Sequence, residues 1–210
     1  MINQHFEDLV KCYPQLSVCE KDFKDAYEIL VDCYKGKKKL LVCGNGGSAA
    51  DAEHIVGELM KSFVKKRPLT DDHFKKVSSL GESLAIKFQN SLEEGLPAIA
   101  LTSHVALSTA FANDVAPQMV FAQQAFVLGV EGDVLMGIST SGNSENVLLA
   151  LEIARANGLK TIGMTGKSGG KMESVCDICL KMPETETYKI QELHLPVYHK
   201  LCIALEDQFF

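Results

Sequence analysis

The sequence predicts an α/β fold, in which a parallel β-sheet is covered by helices on both faces. Short apolar runs alternate with longer amphipathic stretches along most of the chain, which is the pattern of repeated β-α-β units. Two of the apolar runs are followed by loops rich in glycine or serine, at residues 44–48 and 139–144. Ligands bind at the carboxyl ends of the strands in such sheets, so both loops are candidate binding loops.

The first 36 residues predict a helical arm that leads into the sheet. Apolar side chains such as Phe23 and Tyr27 recur there at helical spacing. Pro14 is expected to break or kink the first helix, because proline has no backbone N–H to donate. The chain therefore divides into an arm of residues 1–36 and one α/β domain of residues 37–210.

Strands and helices are then expected to alternate to the end of the chain. Each predicted strand is a short and mostly apolar run, as expected for strands that are buried on both faces. The strands are predicted at residues 39–43, 97–101, 133–138, 161–164 and 177–181. The helices are predicted at residues 48–63, 103–128, 145–157 and 187–210.

One segment, residues 64–96, interrupts this alternation. It combines the basic run Lys65-Lys66-Arg67 with an amphipathic stretch from Phe74 to Leu92. Because it is longer than an ordinary connection, it is expected to contain a helix of its own. Two interpretations stay open, namely a solvated insertion and a lid or interface element.

Composition argues against several classes of partner. The chain has 210 residues and a formal net charge of −6, so no overall basic field attracts nucleic acid or an anionic membrane. No apolar run approaches the length of a membrane span, and the first ten residues carry charges. Seven scattered cysteines do not suggest a disulfide framework in a chain of this size. We therefore expect a soluble protein of the reducing cytoplasm.

Cys176 and Cys179 have the CxxC spacing, which can belong to a redox pair or a metal site. No second CxxC accompanies them, and the segment around them resembles a short strand. Residues three apart in a strand point to opposite faces. We therefore expect a structural role for both cysteines.

The serine-rich loop Ser139-Thr140-Ser141-Gly142-Asn143-Ser144 lies between a predicted strand and a predicted helix. Free backbone N–H groups and the helix dipole favour an anion at that position, and the hydroxyls can donate further hydrogen bonds. The alternative is an ordinary helix N-cap made by Ser141 or Ser144. The loop therefore predicts either a helix cap or a phosphate cradle.

The glycine-rich loop Gly44-Asn45-Gly46-Gly47-Ser48-Ala49 formally matches the GxGxxA fingerprint of dinucleotide-binding folds. That fingerprint requires an acidic residue about 20 positions later to bind ribose. The basic segment at residues 64–68 stands there instead. No nucleotide cofactor is therefore expected, and the glycines are expected to let the backbone approach a smaller ligand.

His54 and Glu58 lie four residues apart and so share one face of a predicted helix, while Gln191 and His199 lie on the last helix. Together they form a mixed nitrogen and oxygen set that suits zinc or a similar divalent ion. Gln191 and His199 are separated by about 12 Å of helix rise, so a single site gathers both with strain, or a neighbouring subunit completes it. The alternatives are an ordinary surface contact for the first pair and a buried core histidine on the last helix.

Four separated motifs together resemble the phosphoheptose isomerases of the sugar isomerase (SIS) domain superfamily. The motifs are residues 43–48 with Asp51, Ala52 and His54; residues 138–144; residues 165–167 with Gly169 and Gly170; and residues 190–192 with His199. The resemblance runs from about residue 39 to the end of the chain. It implies a flavodoxin-like three-layer αβα sandwich that assembles as a homotetramer with active sites between subunits.

The resemblance also implies an activity, namely the isomerisation of sedoheptulose 7-phosphate to D-glycero-D-manno-heptose 7-phosphate for activated heptose and surface polysaccharide. The implied substrate-binding residues are Asn45, Gly46, Gly47, Ser48, Glu58, Asn113, Asp114, Ser139, Thr140, Ser141, Ser144 and Gln191. The implied zinc ligands are His54, Glu58, Gln191 and His199.

An aldose–ketose isomerisation through an enediolate needs three things: a base beside the carbonyl, an acid that moves a proton between the oxygens, and a group that stabilises the intermediate. We assign the base to Glu58 and the acid to His199, with zinc polarising the carbonyl.

Two alternatives to this activity stay open. The first is a non-catalytic SIS-domain protein that binds a phosphosugar or the bacterial replication initiator, which would lack the acid and base that Glu58 and His199 provide here. The second is an isomerase for another phosphosugar. It draws on Tyr188, which stands where the family tends to have an aspartate, and on the length of the segment 64–96.

Overall fold

The computed structural model describes residues 2–210, in which five parallel strands form one sheet. The strands are β1 (Leu40–Gly44), β2 (Ala98–Ala100), β3 (Val134–Ile138), β4 (Lys160–Thr165) and β5 (Ile178–Lys181). Their order across the sheet is β2-β1-β3-β4-β5, the flavodoxin-like order. Each predicted strand is present, and its ends differ from the prediction by at most one residue.

Helices cover both faces of this sheet. They are α1 (Ile2–Cys12), α2 (Glu20–Lys35), α3 (Gly47–Met60), α4 (Asp71–Ser78), α5 (Glu82–Ser91), α6 (Val105–Asp114), α7 (Val120–Leu128), α8 (Glu145–Ala156), α9 (Met172–Val175) and α10 (Thr187–Phe209). Alternate residues of β1 enter two apolar clusters: Val42 packs with α2, α3 and α10, and Leu41 packs with α7 and α8. The predicted three-layer αβα sandwich is therefore confirmed.

The centre of the sheet is the point where the chain reverses direction across it. β1 continues to β2 on one side, whereas β3 lies on its other side, and such a switch point opens a crevice at the carboxyl ends of the strands. Both strands are buried along their whole length, and Gly44 pairs with Ile138. The glycine-rich and serine-rich loops therefore leave the sheet side by side.

The predicted break at Pro14 is present. Helix α1 ends at Cys12, and a short 3-10 helix begins at Pro14. Phe6 and Phe23 are buried in the same cluster as Leu201 of α10, so the N-terminal helices contribute to the core on that face of the sheet. The division of the chain at residue 36 stays a prediction.

The helical stretch predicted at residues 103–128 is present but is divided into two helices. The structure has α6, then a 3-10 turn at Pro117–Met119, then α7. Pro117 explains the break, because proline cannot donate the helical hydrogen bond and disfavours a helical conformation in the residue before it.

The segment 64–96 contains two short helices, α4 and α5, rather than one. The structure describes both helices completely, and Ala85 is their one buried residue. At its base, the Glu94 backbone N–H donates to the carbonyl of Arg67 over 2.7 Å. Both interpretations of the segment, a solvated insertion and a lid or interface element, stay predictions.

The prediction that Cys176 and Cys179 point to opposite faces of one strand is wrong. Strand β5 begins at Ile178, so Cys176 lies outside it. Both sulfurs approach the space beside Gly163, at 3.0 Å and 3.4 Å from where a Cβ would stand. Both are free cysteines.

None of the helices within residues 2–210 has the length and apolar composition that crossing a membrane requires.

Candidate active site

The serine-rich loop brings three hydroxyls together at the start of α8. Ser139 Oγ lies 2.9 Å from Ser144 Oγ and 3.5 Å from Ser141 Oγ. Ser144 is the N-cap residue of α8, yet its side chain makes no capping hydrogen bond, although this residue type normally makes one. Its hydroxyl contacts Ser139 instead. This arrangement favours an anion cradle over an ordinary helix cap.

A second glycine-rich loop, residues 166–170, supports the serine-rich loop from the side. Gly142 has a φ of 65°, which side chains rarely adopt, and a Cβ there would collide with the carbonyl of Gly169. Lys171 N donates to Asn143 Oδ1 over 3.1 Å. The shape of the cradle therefore depends on close backbone contact between these two loops.

The glycine-rich loop after β1 connects the cradle to the last helix. The amides of Asn45 and Asn146 form a reciprocal pair, with both N–O distances at 2.9 Å, and Asn146 lies in the first turn of α8. A Cβ at Gly47 would lie 2.5 Å from Nε2 of Gln191 on α10. Glycine at position 47 therefore allows α10 to approach the loop.

Three of the four predicted zinc ligands meet between α3 and α10. His54 Nε2 lies 3.1 Å from Glu58 Oε1 and 3.4 Å from His199 Nε2, and Glu58 is buried. Burial, together with nearby His54, lowers the pKa of His199, although Glu58 partly opposes the shift. His199 is therefore neutral at pH 7.

Two residues without a sequence-predicted role hold His54 in place. Tyr198 Oη lies 2.9 Å from His54 Nδ1 and donates to Asp51 Oδ1 over 3.3 Å. A carboxylate can only accept, so with Asp51 ionised the tyrosine hydroxyl accepts from His54 Nδ1–H. The sequence carried one signal for these two residues, namely their closeness to the predicted ligands. Asp51 lies about one helical turn before His54, and Tyr198 directly precedes His199.

That hydrogen-bond order leaves the lone pair of His54 Nε2 facing Glu58 Oε1, which is also an acceptor. Two facing acceptors are favourable only with a cation or a proton between them. Zinc ligands at 2.0–2.2 Å in a tetrahedron stand about 3.3 Å apart, which is close to the 3.1 Å and 3.4 Å found here. The donor set therefore fits zinc.

As they stand, these side chains contact each other directly. Among residues 2–210 no group of three or more His, Cys, Asp or Glu is arranged to hold a metal ion, so zinc binding by these side chains stays a prediction. Gln191, the fourth predicted ligand, packs against Gly47, and its role in metal binding stays a prediction.

Asn113 and Asp114 lie at the exposed end of α6, where Asn113 Nδ2 donates to Asp114 Oδ1 over 2.8 Å. The structure shows this contact between the two residues rather than a contact with the His54–Glu58–His199 trio. Their predicted substrate contacts therefore stay a prediction.

Comparisons with known proteins agree with the fold and the site. The SIS domain family model matches residues 15–87 and 85–166. The phosphoheptose isomerase of Nitratiruptor sp. is 41% identical over 181 residues, 86% of this chain and 83% of that protein. Phosphoheptose isomerase 2 of Campylobacter jejuni is 38% identical over 212 residues, 100% of this chain and 92% of that protein.

A solved structure extends this similarity to three dimensions. The phosphoheptose isomerase of Neisseria gonorrhoeae has a TM-score of 0.75 and 31% identity, and the match covers 98% of this chain and 97% of that one. The predicted resemblance is therefore confirmed. The chain belongs to the phosphoheptose isomerase family of SIS-domain proteins and is an isomerase.

Proposed function

We propose that this protein converts sedoheptulose 7-phosphate to D-glycero-D-manno-heptose 7-phosphate, a step toward activated heptose for surface polysaccharide. The observation that carries the proposal is the meeting of Glu58 and His199 around His54. A scaffold that only binds a phosphosugar has no need of an acid and a base at such a position. The similarity to phosphoheptose isomerases supports the same substrate class.

The phosphate of the substrate is expected to bind at the serine-rich loop. Ser139, Ser141 and Ser144 present hydroxyls at the N-terminus of α8, where the helix dipole also favours an anion. The chain carries a net charge of −6, so these local donors must supply the attraction. Asn45, Gly46, Gly47 and Ser48 would then line the path from the phosphate to the sugar.

The proton transfers are assigned to the two helices. The carboxylate of Glu58 removes the proton from the carbon beside the carbonyl and returns it to the neighbouring carbon. His199, neutral at pH 7 because of its lowered pKa, moves a proton between the two oxygens. Zinc held by His54, Glu58, Gln191 and His199 would supply a positive charge that polarises the carbonyl.

We also propose a homotetramer with active sites between subunits. Exposed apolar side chains on α6 and α7, including Val105, Leu107, Phe126 and Val127, support it. Val105, Leu107 and Val127 line an apolar cavity of about 560 Å³ between these helices. Asn113 and Asp114, at the end of α6, are then available to a neighbouring subunit. The mass measured by light scattering tests this directly, and a monomeric mass contradicts it.

The seven free cysteines support a reducing compartment, and we propose the cytoplasm as the location.

The activity is tested by incubating the purified protein with sedoheptulose 7-phosphate and following heptose 7-phosphate formation by NMR. The experiment is run with and without added zinc, and the Glu58→Gln variant is the inactive control. Absence of turnover in both conditions contradicts the proposal. Turnover of a different ketose phosphate alone keeps the reaction class but rejects this substrate.

A further inference from the structure

Arg67 and Glu206 form a fully buried ion pair between the segment after α3 and the last helix. Arg67 Nε donates to Glu206 Oε1 over 2.7 Å, and each residue is about 1% exposed. A buried ion pair is costly to desolvate and persists only where further hydrogen bonds satisfy both partners. The remaining bonds of the pair therefore show what it holds in place.

Glu206 binds the chain that follows α3. Its Oε1 accepts the backbone N–H of Phe63 over 3.0 Å, and its Oε2 accepts those of Val64 and Lys65 over 2.9 Å and 3.0 Å. Burial by itself raises the pKa of Glu206, but these donors and Arg67 outweigh burial and hold that pKa below its usual value. Glu206 is thus ionised at neutral pH and holds these three backbone N–H groups against α10.

Arg67 binds the end of α3 that carries Glu58. Its Nη1 donates to the carbonyl of Leu59 over 2.8 Å, and its Nη2 donates to the carbonyl of Glu58 over 3.2 Å. Carbonyls in the last turn of a helix have no partner within the helix. The guanidinium donates hydrogen bonds to two of these carbonyls, and its planar group can serve several acceptors in fixed directions.

The two helices joined in this way carry the proposed base and acid. Glu206 follows His199 by seven residues, or almost two turns of α10, so the two lie on the same side of that helix. We propose that the Arg67–Glu206 pair sets the separation of Glu58 and His199, so that Arg67 and Glu206 are positioning residues for the isomerisation. This inference rests on the proposed function.

Proton transfer depends strongly on such a separation, because a misplacement of about 1 Å can cost on the order of 100-fold in rate. The phosphate cradle lies on α8 and the loop after β3, away from this pair. Weakening the Arg67–Glu206 pair should therefore lower kcat while leaving KM for the phosphosugar nearly unchanged.

The test uses Arg67→Lys, which keeps the charge and loses the planar fork, and Glu206→Gln, which keeps the shape and loses the charge. The matched control is Asp133→Asn. Asp133 is equally buried, pairs with Lys39, and accepts the backbone N–H groups of Lys39 and Val130 over 3.0 Å and 2.9 Å. Asp133 lies just before β3, and neither it nor its partners Lys39 and Val130 belong to α3 or α10.

We call the Arg67–Glu206 pair the clamp, and Arg67→Lys and Glu206→Gln the clamp variants. We expect kcat to fall about 100-fold in both clamp variants, with KM changed less than about twofold. The control should keep its kcat at a comparable loss of thermal stability. If kcat instead follows stability equally in all three variants, the clamp is merely structural and the proposal is overturned. If Arg67→Lys does not fold, Glu206→Gln alone decides.

A second readout separates this inference from the proposed function. In protein labelled with ¹⁵N-histidine, the imidazole signals of His54 and His199 should move in the clamp variants and stay unchanged in Asp133→Asn. If the wild-type protein turns over no ketose phosphate, the proposed function fails while these signals still test the clamp. Unchanged signals in both clamp variants overturn the inference whether or not the protein is active.

Discussion

The hydroxyl of Tyr198 lies 2.9 Å from Nδ1 of His54 and orients that ring across the gap between α10 and α3. Asp51 accepts the hydroxyl proton on the far side, so the chain of hydrogen bonds runs from a carboxylate through a phenol to an imidazole. Such partners fix the tautomer and direction of a ligating histidine. The other ring nitrogen of His54 is thereby presented to Glu58 and His199.

Replacement of Tyr198 by phenylalanine should weaken zinc binding about tenfold, because His54 loses the acceptor that fixes its ring. Zinc affinity is measured by competition with a chromophoric chelator. The control is Tyr34→Phe, which removes a buried hydroxyl that has no hydrogen-bond partner in the described chain. Equal zinc affinity in Tyr198→Phe and the wild-type protein would argue against this orienting role.

Replacement of Glu58 by glutamine should lower kcat by about 1,000-fold, because an amide cannot accept the substrate proton. Phosphosugar binding, measured by calorimetry, should change little. Glu53→Gln is the matched control on the same helix, since Glu53 is exposed and accepts hydrogen bonds from Thr102 and Ser103. A Glu58→Gln variant with an unchanged rate would remove Glu58 from the role of base.

Replacement of Ser139 or Ser144 by alanine should weaken binding of the phosphosugar about tenfold, since each hydrogen bond to a charged group contributes about 1.5 kcal/mol or more. Competition by inorganic phosphate should weaken in parallel. Ser78→Ala is the control, because that hydroxyl bonds to Phe74 O within α4. If binding is unchanged in both variants, or weakens equally in Ser78→Ala, the serine-rich loop does not bind the phosphate.

Stability should depend on pH through His194. This side chain is fully buried, and burial lowers its pKa from 6.5 to about 4. In the unfolded chain His194 binds a proton below about pH 6.5, whereas in the folded protein it stays neutral down to about pH 4. The free energy of unfolding therefore falls as the pH drops from 6.5 to 4. The loss should reach about 3 kcal/mol.

Urea unfolding at pH 7.5 and pH 4.5 measures this effect, with His194→Leu as the variant that cannot titrate. The difference in unfolding free energy between the two pH values should be smaller in the variant than in the wild-type protein. An equal difference would show that another group causes the pH dependence.

Much of the fold could be predicted because its signals are local. Five apolar runs predict all five strands, and the serine-rich loop after β3 indicates an anion site by its composition and position alone. The break at Pro117 was missed although the proline is visible, because the apolar spacing on either side continues through it.

The contacts that organise the site could not be predicted in the same way. Arg67 belongs to a basic run that suggests a solvated surface, yet its side chain is buried. It pairs there with the carboxylate of Glu206, 139 residues away in the chain. The contact between Tyr198 and His54 spans 144 residues. Both depend on the relative placement of α3 and α10, which is a property of tertiary packing rather than of local spacing.

The pairing of Gly44 with Ile138 has a consequence for the range of sugars that this protein can accept. Neighbouring strands stand about 4.8 Å apart, so the distance between the two loops that follow them is set by the backbone of the sheet. Substitutions in either loop change which atoms meet the substrate, but the strand ends from which the two loops start stay equally far apart. The sheet thus fixes the separation of the points where the two loops begin. We expect a shift toward shorter or longer sugars to come from a change in the placement of α3 and α10 instead.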